Sequence, residues 1–482
     1  MPPAGARLRR DCAVTSTDVV VGIDVGTTRV KALAVDRDGA IRATAERPTP
    51  WRHDAGRADL DPMALAQLSQ TVASEAATIA CREERPRVVG IGVTGMAETG
   101  VLVDGHDRPL APAIAWHDPR GDVDTIAREL GAETFQSTTG MPLSALPSLS
   151  KLLWIRQHVR EASAAVRFYS VAEWVVRQLG GDAVAELSLA SRTGMFDVGR
   201  ACPWEAAFGL LNAKPLLPEP VVAGTAAGLA HGPGVPSVLS GAVLTVAGHD
   251  HQTAAYGVGA ATDGALFDSL GTAEALVRTV RPPLTPRQIT TLVDRGVTVG
   301  WGVVSGHLCL LGGLTTGLTL ERIADLVGAT SAEARRVLGD EALKLPRGGP
   351  TTRLINPTFE GVSISGITDG ASPAGLWRAA VESLVVDAER VLGSIDALAG
   401  PHRVVIAGGG WLNNPAVLAA KRQQYGEMRV TELAEPGAFG AALMAATAAG
   451  VSLAVHPPSP APRGATTSPT IREASAHALH PR

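Results

Sequence analysis

Four residues near the start of the chain, Asp24, Gly26, Thr27 and Thr28, follow an apolar run and have the chemistry of a phosphate-binding turn. Glycines let the backbone approach a ligand closely, and successive N–H groups with threonine hydroxyls can bind phosphate oxygens. A carboxylate at this place can hold Mg²⁺ through water, because magnesium keeps much of its hydration shell. A tight turn between strands explains the same residues equally well, since short glycine motifs also occur by chance.

A second turn of the same kind lies about half a chain later. The segment ATDGALFDSLGTAEALVRTV repeats the order of strand, Asp268, Gly271, Thr272 and strand. The run VVIAGGG at 404–410 again places glycines after a strand. Repeats at this separation are typical of a duplicated domain, and two facing Gly-Thr turns would bind a polyphosphate from both sides. The repeat therefore favours phosphate binding over two unrelated turns.

An acid flanked by two histidines, His249-Asp250-His251, follows the apolar run AVLTV. Because QTAAYGV predicts a helix, Asp250 is interpreted either as its N-cap or as a general base. A base in phosphoryl transfer needs correct position more than a raised pKa, since the proton can leave late in a loose transition state. The two histidines are interpreted as pocket wall or packing rather than as metal ligands.

The elements that must position these residues alternate between strands and helices. Residues 19–45 predict two or three strands with a hairpin turn at Asp38-Gly39. The segment DPMALAQLSQTVASEAATIACREE predicts a helix, and VVGIGVTG predicts another buried strand. The pattern indicates a mixed α/β protein, with a domain boundary near 257–264, where GVGAATDG is rich in small residues.

Composition narrows the class of protein. The 482 residues contain 43 Lys+Arg and 47 Asp+Glu, a balance that argues against a nucleic-acid partner. No apolar run reaches eighteen residues, and residues 1–17 lack the apolar core of a signal peptide, so we expect no membrane partner and a cytoplasmic location. Residues 451–482, rich in Pro, Ser and Ala, predict a disordered tail. The four cysteines share no CxxC spacing and are interpreted as ordinary thiols: Cys12, Cys81, Cys202 and Cys309.

From about residue 19 to residue 450 the chain resembles the FGGY family of carbohydrate kinases, within the actin and hexokinase ATPase superfamily. The resemblance is carried by the two turns, by AGHDHQTAA, and by the segments AGGGWLNNPAVLAAKRQQYG and EPGAFGAALMA. It implies an α/β fold of two actin/hexokinase-like (ribonuclease H-like) domains with a cleft between them. These domains are expected at 18–257 and 258–450, after an N-terminal extension over 1–17.

The resemblance also implies an activity and roles for single residues. The activity is transfer of the γ-phosphate of ATP to a hydroxyl of a sugar, ketose, aldonate or polyol, with Asp250 as general base and Asp24 as the Mg²⁺ ligand. The residues expected to bind ATP are Gly26, Thr27, Thr28, Gly271, Thr272, Gly408, Gly409, Gly410 and Asn413. The residues expected to bind the acceptor are Met96, Ala97, Glu98, Trp116, Asp118, Arg120 and Asp250. A homodimer is compatible with the resemblance, because dimers are common among such kinases.

Several of these assignments have structural alternatives. Asp118 and Arg120 belong to a W-x-D-x-R element, but a salt bridge within a loop explains the pair as well as ligand contact does. The alanine-rich helix near the C-terminus is interpreted as packing, and its neighbouring glycines as nucleotide contacts. The stretch ELSLASRTGMFDV, which resembles an S-x-A-S-x-T element of the family, is assigned a structural role.

The sequence departs from the family pattern at three places. Met96-Ala97 stands where xylulokinase-like members have a Met-His pair, so the acceptor is left open. An E-R-x-P element is missing from GGPTTRLINPTFEGVSISG, and the second turn has GTA where many members have GTS. These departures keep two alternatives open: a sugar- and ATP-binding regulator with weak catalysis, and a partner-switching ATPase. The presence of Trp116, Asp118, Arg120 and Asp250 together argues against the second.

Overall fold

The computed structural model describes residues 18–82, 87–345, 353–355, 361–367 and 369–454. The predicted extension over 1–17, with Cys12, lies outside these ranges, as does much of the segment 348–366 that lacks E-R-x-P. The strands of the first half are β1 Val19–Val25, β2 Arg29–Val35, β3 Ile41–Pro48, β4 Arg52–Asp54, β5 Arg57–Leu60, β6 Val88–Gly95, β7 Gly100–Val103, β8 Ala113–Ile114, β9 Arg167–Ser170, β10 Val184–Glu186, β11 Phe196–Asp197, β12 Cys202–Pro203, β13 Glu219–Val221, β14 Ala226–Leu229 and β15 Val243–His249. The strands of the second half are β16 Ala265–Leu270, β17 Glu274–Val280, β18 Val297–Trp301, β19 Leu308–Leu314, β20 Arg353–Ile355, β21 Ser363–Ser365, β22 Val404–Gly408 and β23 Arg429–Val430. The α-helices are α1 Pro62–Ala80, α2 Val123–Leu130, α3 Ala132–Thr139, α4 Ser148–His158, α5 Val171–Gln178, α6 Leu187–Ala190, α7 Glu205–Leu210, α8 Asp250–Gly257, α9 Pro286–Asp294, α10 Thr316–Leu326, α11 Ala332–Lys344, α12 Pro373–Ala399, α13 Pro415–Tyr425 and α14 Pro436–Ala448.

Two six-stranded mixed sheets form the two lobes of the molecule. The first has the strand order β14-β15-β6-β1-β2-β3, and the second has the order β18-β19-β17-β16-β22-β23. In each lobe the strand before the glycine turn pairs antiparallel with the strand after it, as β1 with β2 and β16 with β17. The same strand pairs parallel with a later one, β6 or β22. This shared topology is the duplicated α/β arrangement that the sequence predicts.

The strand β1 is buried on both faces, which explains why VVVGIDV lacks apolar and polar alternation. The helix α1 covers one face and packs Leu65 and Val72 into the core of the first lobe. Asp61 caps this helix by accepting hydrogen bonds from two backbone amides of the first turn. Pro62 follows at the first helical position, where the N–H group that proline lacks would have no partner within the helix.

The last helix, α14, covers the other face of the first sheet although it comes from the far end of the chain. A Cβ built at Gly22 would lie 1.8 Å from the Ala438 carbonyl oxygen, and one at Gly92 would lie 2.1 Å from that of Ala441. Only glycine permits this approach of helix to sheet. The boundary predicted near 257–264 does fall between α8 and β16, but the chain returns afterwards. The division into 18–257 and 258–450 stays a prediction, and the helix over 436–448, which it places in the second domain, packs on the sheet of the first lobe.

The edge strand β18 of the second lobe lies directly against the first lobe. The Val299 N–H donates to the Gly140 carbonyl oxygen at 2.9 Å, and the Trp301 N–H donates to Ser191 Oγ at 3.0 Å. The Trp301 indole N–H donates to the Val198 carbonyl oxygen at 3.0 Å. We call β18 with Gly140, Ser191 and Val198 the seam. It satisfies backbone groups that an edge strand otherwise leaves open.

The end of the described chain corrects part of the predicted tail. Val451 is buried in the first lobe, and its N–H donates to the Ala446 carbonyl oxygen. The Ala454 N–H donates to the Arg37 carbonyl oxygen at 2.7 Å. Residues 451–454 are therefore packed and hydrogen-bonded, contrary to the prediction of disorder from 451 onward. Across the described ranges, no helix is long and apolar enough to cross a membrane.

Candidate active site

The first glycine turn joins β1 to β2 and leaves Asp24 as the penultimate residue of β1. Oδ1 of Asp24 is buried and accepts no hydrogen bond from the described residues. Burial, and then the charge of Asp250, raise the pKa of Asp24 to about 8, against the opposing effect of Lys31. Lys31 is itself bonded to Glu435 at 2.6 Å. Asp24 is thus a half-buried acid whose ionised form lacks a full counter-charge, so an external cation would stabilise that form.

Thr27 lies at the centre of this turn and is held by two indoles. Trp116 Nε1 donates to Thr27 Oγ1 at 2.9 Å, and Trp51 Nε1 donates to the Thr27 carbonyl oxygen at 2.6 Å. Gly26 is half-buried and Thr28 is exposed. Trp116, predicted to contact the acceptor, therefore also braces the turn predicted to bind phosphate, so the two predicted sites adjoin.

The loop after β6 carries three residues predicted to bind the acceptor. Met96 and Ala97 pack into the core of the first lobe, and Met96 Sδ lies 3.9 Å from the Thr27 hydroxyl. Glu98 has a φ of 62°, uncommon for a residue other than glycine, and Ser148 Oγ donates to its carbonyl oxygen at 2.8 Å. Within this trio, Glu98 supplies the charged group of the site, while Met96 and Ala97 contribute packing.

Asp250 is the first residue of α8, directly after β15. The N-cap position belongs to His249, so the interpretation of Asp250 as N-cap is wrong. Its Oδ1 accepts the His251 N–H at 2.6 Å. Burial raises the pKa of Asp250 to about 7, with a further rise from Glu98 that is opposed by the His251 N–H and by Arg192. An acid with this pKa can exchange a proton near neutral pH, which is the requirement for a general base.

The flanking histidines pack as predicted. His249 is 4% exposed, and burial, then the charges of Arg192 and His251, lower its pKa. Burial, followed by Arg192, lowers the pKa of His251 to about 4. Both rings are therefore neutral at pH 7, and they add no cationic charge beside Asp250.

The pair Asp118–Arg120 forms the loop salt bridge that was one of its two interpretations. Oδ1 of Asp118 accepts hydrogen bonds from the backbone N–H and the side-chain Nε of Arg120, at 2.8 and 2.9 Å. Oδ2 of Asp118 accepts hydrogen bonds from Nη2 of Arg120 at 2.7 Å and from the backbone N–H of Ala58 at 2.6 Å. Arg120 Nη2 also contacts Asp59 at 3.1 Å. Burial opposes ionisation of Asp118, but these hydrogen bonds lower its pKa. The contact of this pair with an acceptor stays a prediction.

Sequence reasoning missed a buried ion pair between Glu98 and Arg192. Arg192 Nε and Nη2 lie 2.7 and 2.5 Å from Glu98 Oε1. Arg192 belongs to ELSLASRTGMFDV, which was given only a structural role. An arginine within such a stretch of small residues could have signalled the pair, because a buried guanidinium requires a carboxylate.

The second turn and the third glycine segment meet each other. Gly409 has a φ of 111°, and a Cβ there would lie 2.1 Å from the carbonyl oxygen of Leu270, the residue before Gly271. A Cβ at Gly317 would lie 1.8 Å from the Gly271 carbonyl oxygen, so α10 also closes on the turn. Thr272 and Gly410 are exposed, and Gly408 is buried at the end of β22. The predicted ATP-binding glycines of the second lobe are thus brought together.

The helix expected to begin near Asn413 begins at Pro415, after a short 3₁₀ turn over Gly410–Asn413. Asn414 caps it, accepting the backbone amides of Ala416 and Val417, and also accepts the Trp377 indole N–H at 3.3 Å. Asn413 is exposed beside it. The capping role thus belongs to Asn414, and the proposed role of Asn413 in binding ATP stays a prediction.

The side chains around Asp24 fit Mg²⁺ better than a metal that needs three or four protein ligands. Within the described part of the chain, no three His, Cys, Asp or Glu side chains form a metal-binding group. Magnesium, however, binds through one or two carboxylates and several waters. Asp24 fits this requirement, since its Oδ1 lacks a partner and a second carboxylate, Asp250, lies close enough to raise its pKa.

Comparison with known proteins gives the same picture. The glycerol kinase of Aromatoleum aromaticum is 29% identical over 464 residues, which cover 90% of each chain. The gluconokinase of Bacillus subtilis is 24% identical over 474 residues, covering 90% of this chain and 87% of the relative. Among solved structures, a ligand-bound xylulose kinase from Lactobacillus acidophilus has a TM-score of 0.80 at 18% identity, with 90% of each chain covered.

A Plasmodium falciparum glycerol kinase with ADP has a TM-score of 0.77 at 20% identity, with 89% of each chain covered. These structures share the fold of two lobes. Residues 19–257 match the N-terminal domain of the FGGY family of carbohydrate kinases, and residues 349–449 match its C-terminal domain. This chain, with a glycine turn in each lobe and a half-buried acid beside the first, belongs to the FGGY family of carbohydrate kinases.

Proposed function

We propose that this chain transfers the γ-phosphate of ATP to a hydroxyl of a sugar, ketose, aldonate or polyol, with Asp250 as the general base. The observation that carries the proposal is the convergence of three carboxylates, Asp24, Asp250 and Glu98, next to the first glycine turn. Asp250 raises the pKa of Asp24, and Glu98 raises that of Asp250, so each group lies within electrostatic reach of the next. Membership of the carbohydrate kinase family supports the same activity.

In the proposed reaction, an acceptor hydroxyl lies between Glu98 and Asp250. Its oxygen forms a bond to the γ-phosphorus as the bond from phosphorus to the β,γ-bridging oxygen breaks. Asp250 takes the hydroxyl proton, and the bridging oxygen leaves with ADP. The raised pKa of Asp250 matches this step, because a carboxylate with a pKa of about 7 binds the proton better than an ordinary aspartate does.

The nucleotide phosphates would lie between the turn at Gly26, Thr27 and Thr28 and the turn at Gly271 and Thr272. Glycine backbone N–H groups and threonine hydroxyls suit phosphate oxygens. When bound, Mg²⁺ would neutralise charge on the β- and γ-phosphates, and Asp24 is the residue that would hold it. Contact between the lobes along the seam would exclude water, which otherwise competes for the γ-phosphate.

The acceptor class follows from the names of relatives and from the chemistry of the site. Glycerol kinases and a gluconokinase match across most of the chain, so polyols and aldonates head the set of acceptors. The alternatives, a weakly catalytic regulator or a partner-switching ATPase, have no observation in their favour. We further propose Mg²⁺-ATP as donor and, because ATP and free sugars meet there, the cytoplasm as location. A homodimer stays a prediction.

The activity is tested by measuring ADP release from Mg²⁺-ATP with a panel of ketoses, aldonates and polyols. We expect one class to stimulate release and to yield a phosphorylated product. Asp250→Asn should lower that rate by about 10² to 10⁴-fold, the usual contribution of a general base, while ATP binding is retained. Asp396→Asn, an aspartate of similar exposure that pairs with Arg278 in the second lobe, is the control. Unchanged turnover in Asp250→Asn would remove this residue from the mechanism.

A further inference from the structure

The buried pair of Glu98 and Arg192 continues into the second lobe. Arg192, 7% exposed, contacts Glu98 Oε1 through Nε and Nη2. Its Nη1 donates to the hydroxyl of Thr298, which lies on β18. That hydroxyl in turn donates to the Leu311 carbonyl oxygen at 3.1 Å, on β19. A continuous line of hydrogen bonds therefore runs from the carboxylate beside Asp250 to the second sheet.

The geometry of Glu98 makes this line relevant to acceptor binding. Both contacts from Arg192 fall on Oε1, which leaves Oε2 to accept an acceptor hydroxyl. The backbone of Glu98 is held in the left-handed region, a conformation that persists only where surrounding contacts fix it. The Ser148 hydroxyl fixes its carbonyl, and Arg192 fixes its carboxylate. A shift of the guanidinium would therefore move the carboxylate that the acceptor binds.

The seam around Thr298 is tight on both sides. A Cβ at Gly140 would lie 2.0 Å from the Val299 carbonyl oxygen, and one at Gly300 would lie 2.7 Å from Ser191 Cβ. Ser191 and Arg192 are adjacent, so one turn of the first lobe contacts β18 through a hydroxyl and through a guanidinium. Of these two residues, Arg192 also contacts Glu98 in the candidate active site.

We propose that Arg192 is a positioning residue that couples acceptor binding to closure of the two lobes along the seam. The inference rests on the proposed function, because it takes Glu98 as the carboxylate that binds the acceptor. An acceptor hydroxyl on Oε2 orders the carboxylate, the carboxylate orders the guanidinium, and the guanidinium strengthens the bond to Thr298. Coupling of this kind is reciprocal, so closure along β18 must in turn raise the affinity for the acceptor.

The first test needs no acceptor. Hydrogen exchange is measured over residues 96–99 and 297–301 in the full chain and in two variants. Thr298→Val removes the hydroxyl that Arg192 contacts, and we expect exchange to rise about tenfold in both segments, the worth of one hydrogen bond to a charged group. Ser191→Ala removes the neighbouring seam contact and should raise exchange over 297–301 alone. Unchanged exchange over 96–99 in Thr298→Val overturns the proposal.

The second test uses the acceptor identified by the ADP-release panel. Its dissociation constant is measured with and without Mg²⁺-ADP, and the ratio gives the coupling factor. Thr298→Val should reduce this factor about tenfold. Arg192→Lys keeps the charge but cannot contact both partners in the same geometry, so it should give a similar loss. A coupling factor equal to that of the unchanged protein overturns the proposal. If no panel member stimulates ADP release, the proposed function fails, and the exchange measurement still decides the link across the seam.

Discussion

The two lobes place an aspartate at equivalent points, Asp24 near the end of β1 and Asp268 within β16, and give the two carboxylates different surroundings. In the second lobe, Lys421 Nζ lies 3.0 Å from Asp268 Oδ2, and the Tyr425 hydroxyl donates to the same oxygen at 2.8 Å. Lys421 also contacts Glu274. In the first lobe, Lys31, which lies opposite Asp24 on β2, is bonded to Glu435 instead. One lobe therefore contains a permanent cation at this point, and the other does not.

The difference shows how a duplicated element can serve stability in one copy and chemistry in the other. The ammonium of Lys421 is buried, which alone would lower its pKa, but the charges of Asp268 and Glu274 raise it. The two acids therefore keep the Lys421 ammonium protonated. Asp24 instead faces Asp250, and both acids have raised pKa values. In the first lobe, protons on these two acids take the place that the lysine ammonium has in the second, and an incoming Mg²⁺ would displace them.

The largest effect expected from this contrast is on turnover. Asp24→Asn should lower kcat/KM for Mg²⁺-ATP roughly 10³-fold, because the residue proposed to hold the metal loses its charge. Asp268→Asn is the matched change in the other lobe and should lower kcat/KM only to the extent that it unfolds the protein. The measurement is steady-state ADP release across a range of Mg²⁺ concentrations. If both variants are folded and lose kcat/KM equally at saturating Mg²⁺, the proposed catalytic role of Asp24 and structural role of Asp268 are wrong.

The next effect concerns stability. Lys421→Met removes the buried cation and leaves Asp268 and Glu274 without it, which should cost about 3–5 kcal/mol of unfolding free energy. Thermal unfolding should show a large fall in Tm. Adding Asp268→Asn and Glu274→Gln to Lys421→Met should restore much of the loss, since the whole group is then neutral. Lys31→Met, which breaks a half-exposed pair, is the matched lysine in the first lobe and should cost about 1 kcal/mol or less. A similar cost for both lysines would contradict the comparison.

Much of this frame was predictable from sequence, because the patterns that encode it are local. Apolar runs and turn residues predict the strand Val19–Val25, the helix from Pro62 and the two strands around Gly271. Asp24 and Asp268 were recognised as a repeat for the same reason. Their opposite environments were not predictable. The cation on Asp268 comes from α13, and the bond between Lys421 and Glu274 spans 147 positions.

Two other misses have the same physical origin in long-range packing. The return of α14 to the first lobe depends on the fit of Gly22 and Gly92 to helix backbone more than 340 positions away. The pair Glu98–Arg192 joins residues 94 positions apart. The salt bridge between Asp118 and Arg120, which are only two positions apart, was one of the two interpretations that the sequence offered. The further hydrogen bond that Asp118 accepts from the backbone N–H of Ala58, 60 positions away, could not be predicted.

A smaller, graded effect is expected from pH. The pKa of Asp250 is raised to about 7, so its basic form is lost as pH falls through 7. We expect kcat/KM for the acceptor to level off above about pH 7 and to fall about tenfold per pH unit below it. Lys421→Met should leave the midpoint unchanged, because that cluster belongs to the second lobe. A midpoint near pH 4, the ordinary range for aspartate, would contradict the raised pKa of Asp250.

The smallest expected effect separates the threonines of the two turns. The Thr27 hydroxyl accepts the Trp116 indole N–H at 2.9 Å, whereas Thr272 is exposed. Both hydroxyls are proposed to bind phosphate, so Thr27→Val and Thr272→Val should each raise the KM for ATP by roughly tenfold, the worth of a hydrogen bond to a charged group. Thr27→Val should also lower the unfolding free energy by about 1 kcal/mol, because it removes the hydrogen bond from the Trp116 indole N–H to the Thr27 hydroxyl. Thermal unfolding without nucleotide measures this second effect. If Thr272→Val lowers Tm as much as Thr27→Val does, the two threonine hydroxyls stabilise their lobes equally. The hydrogen bond from Trp116 would then give Thr27 no special structural role.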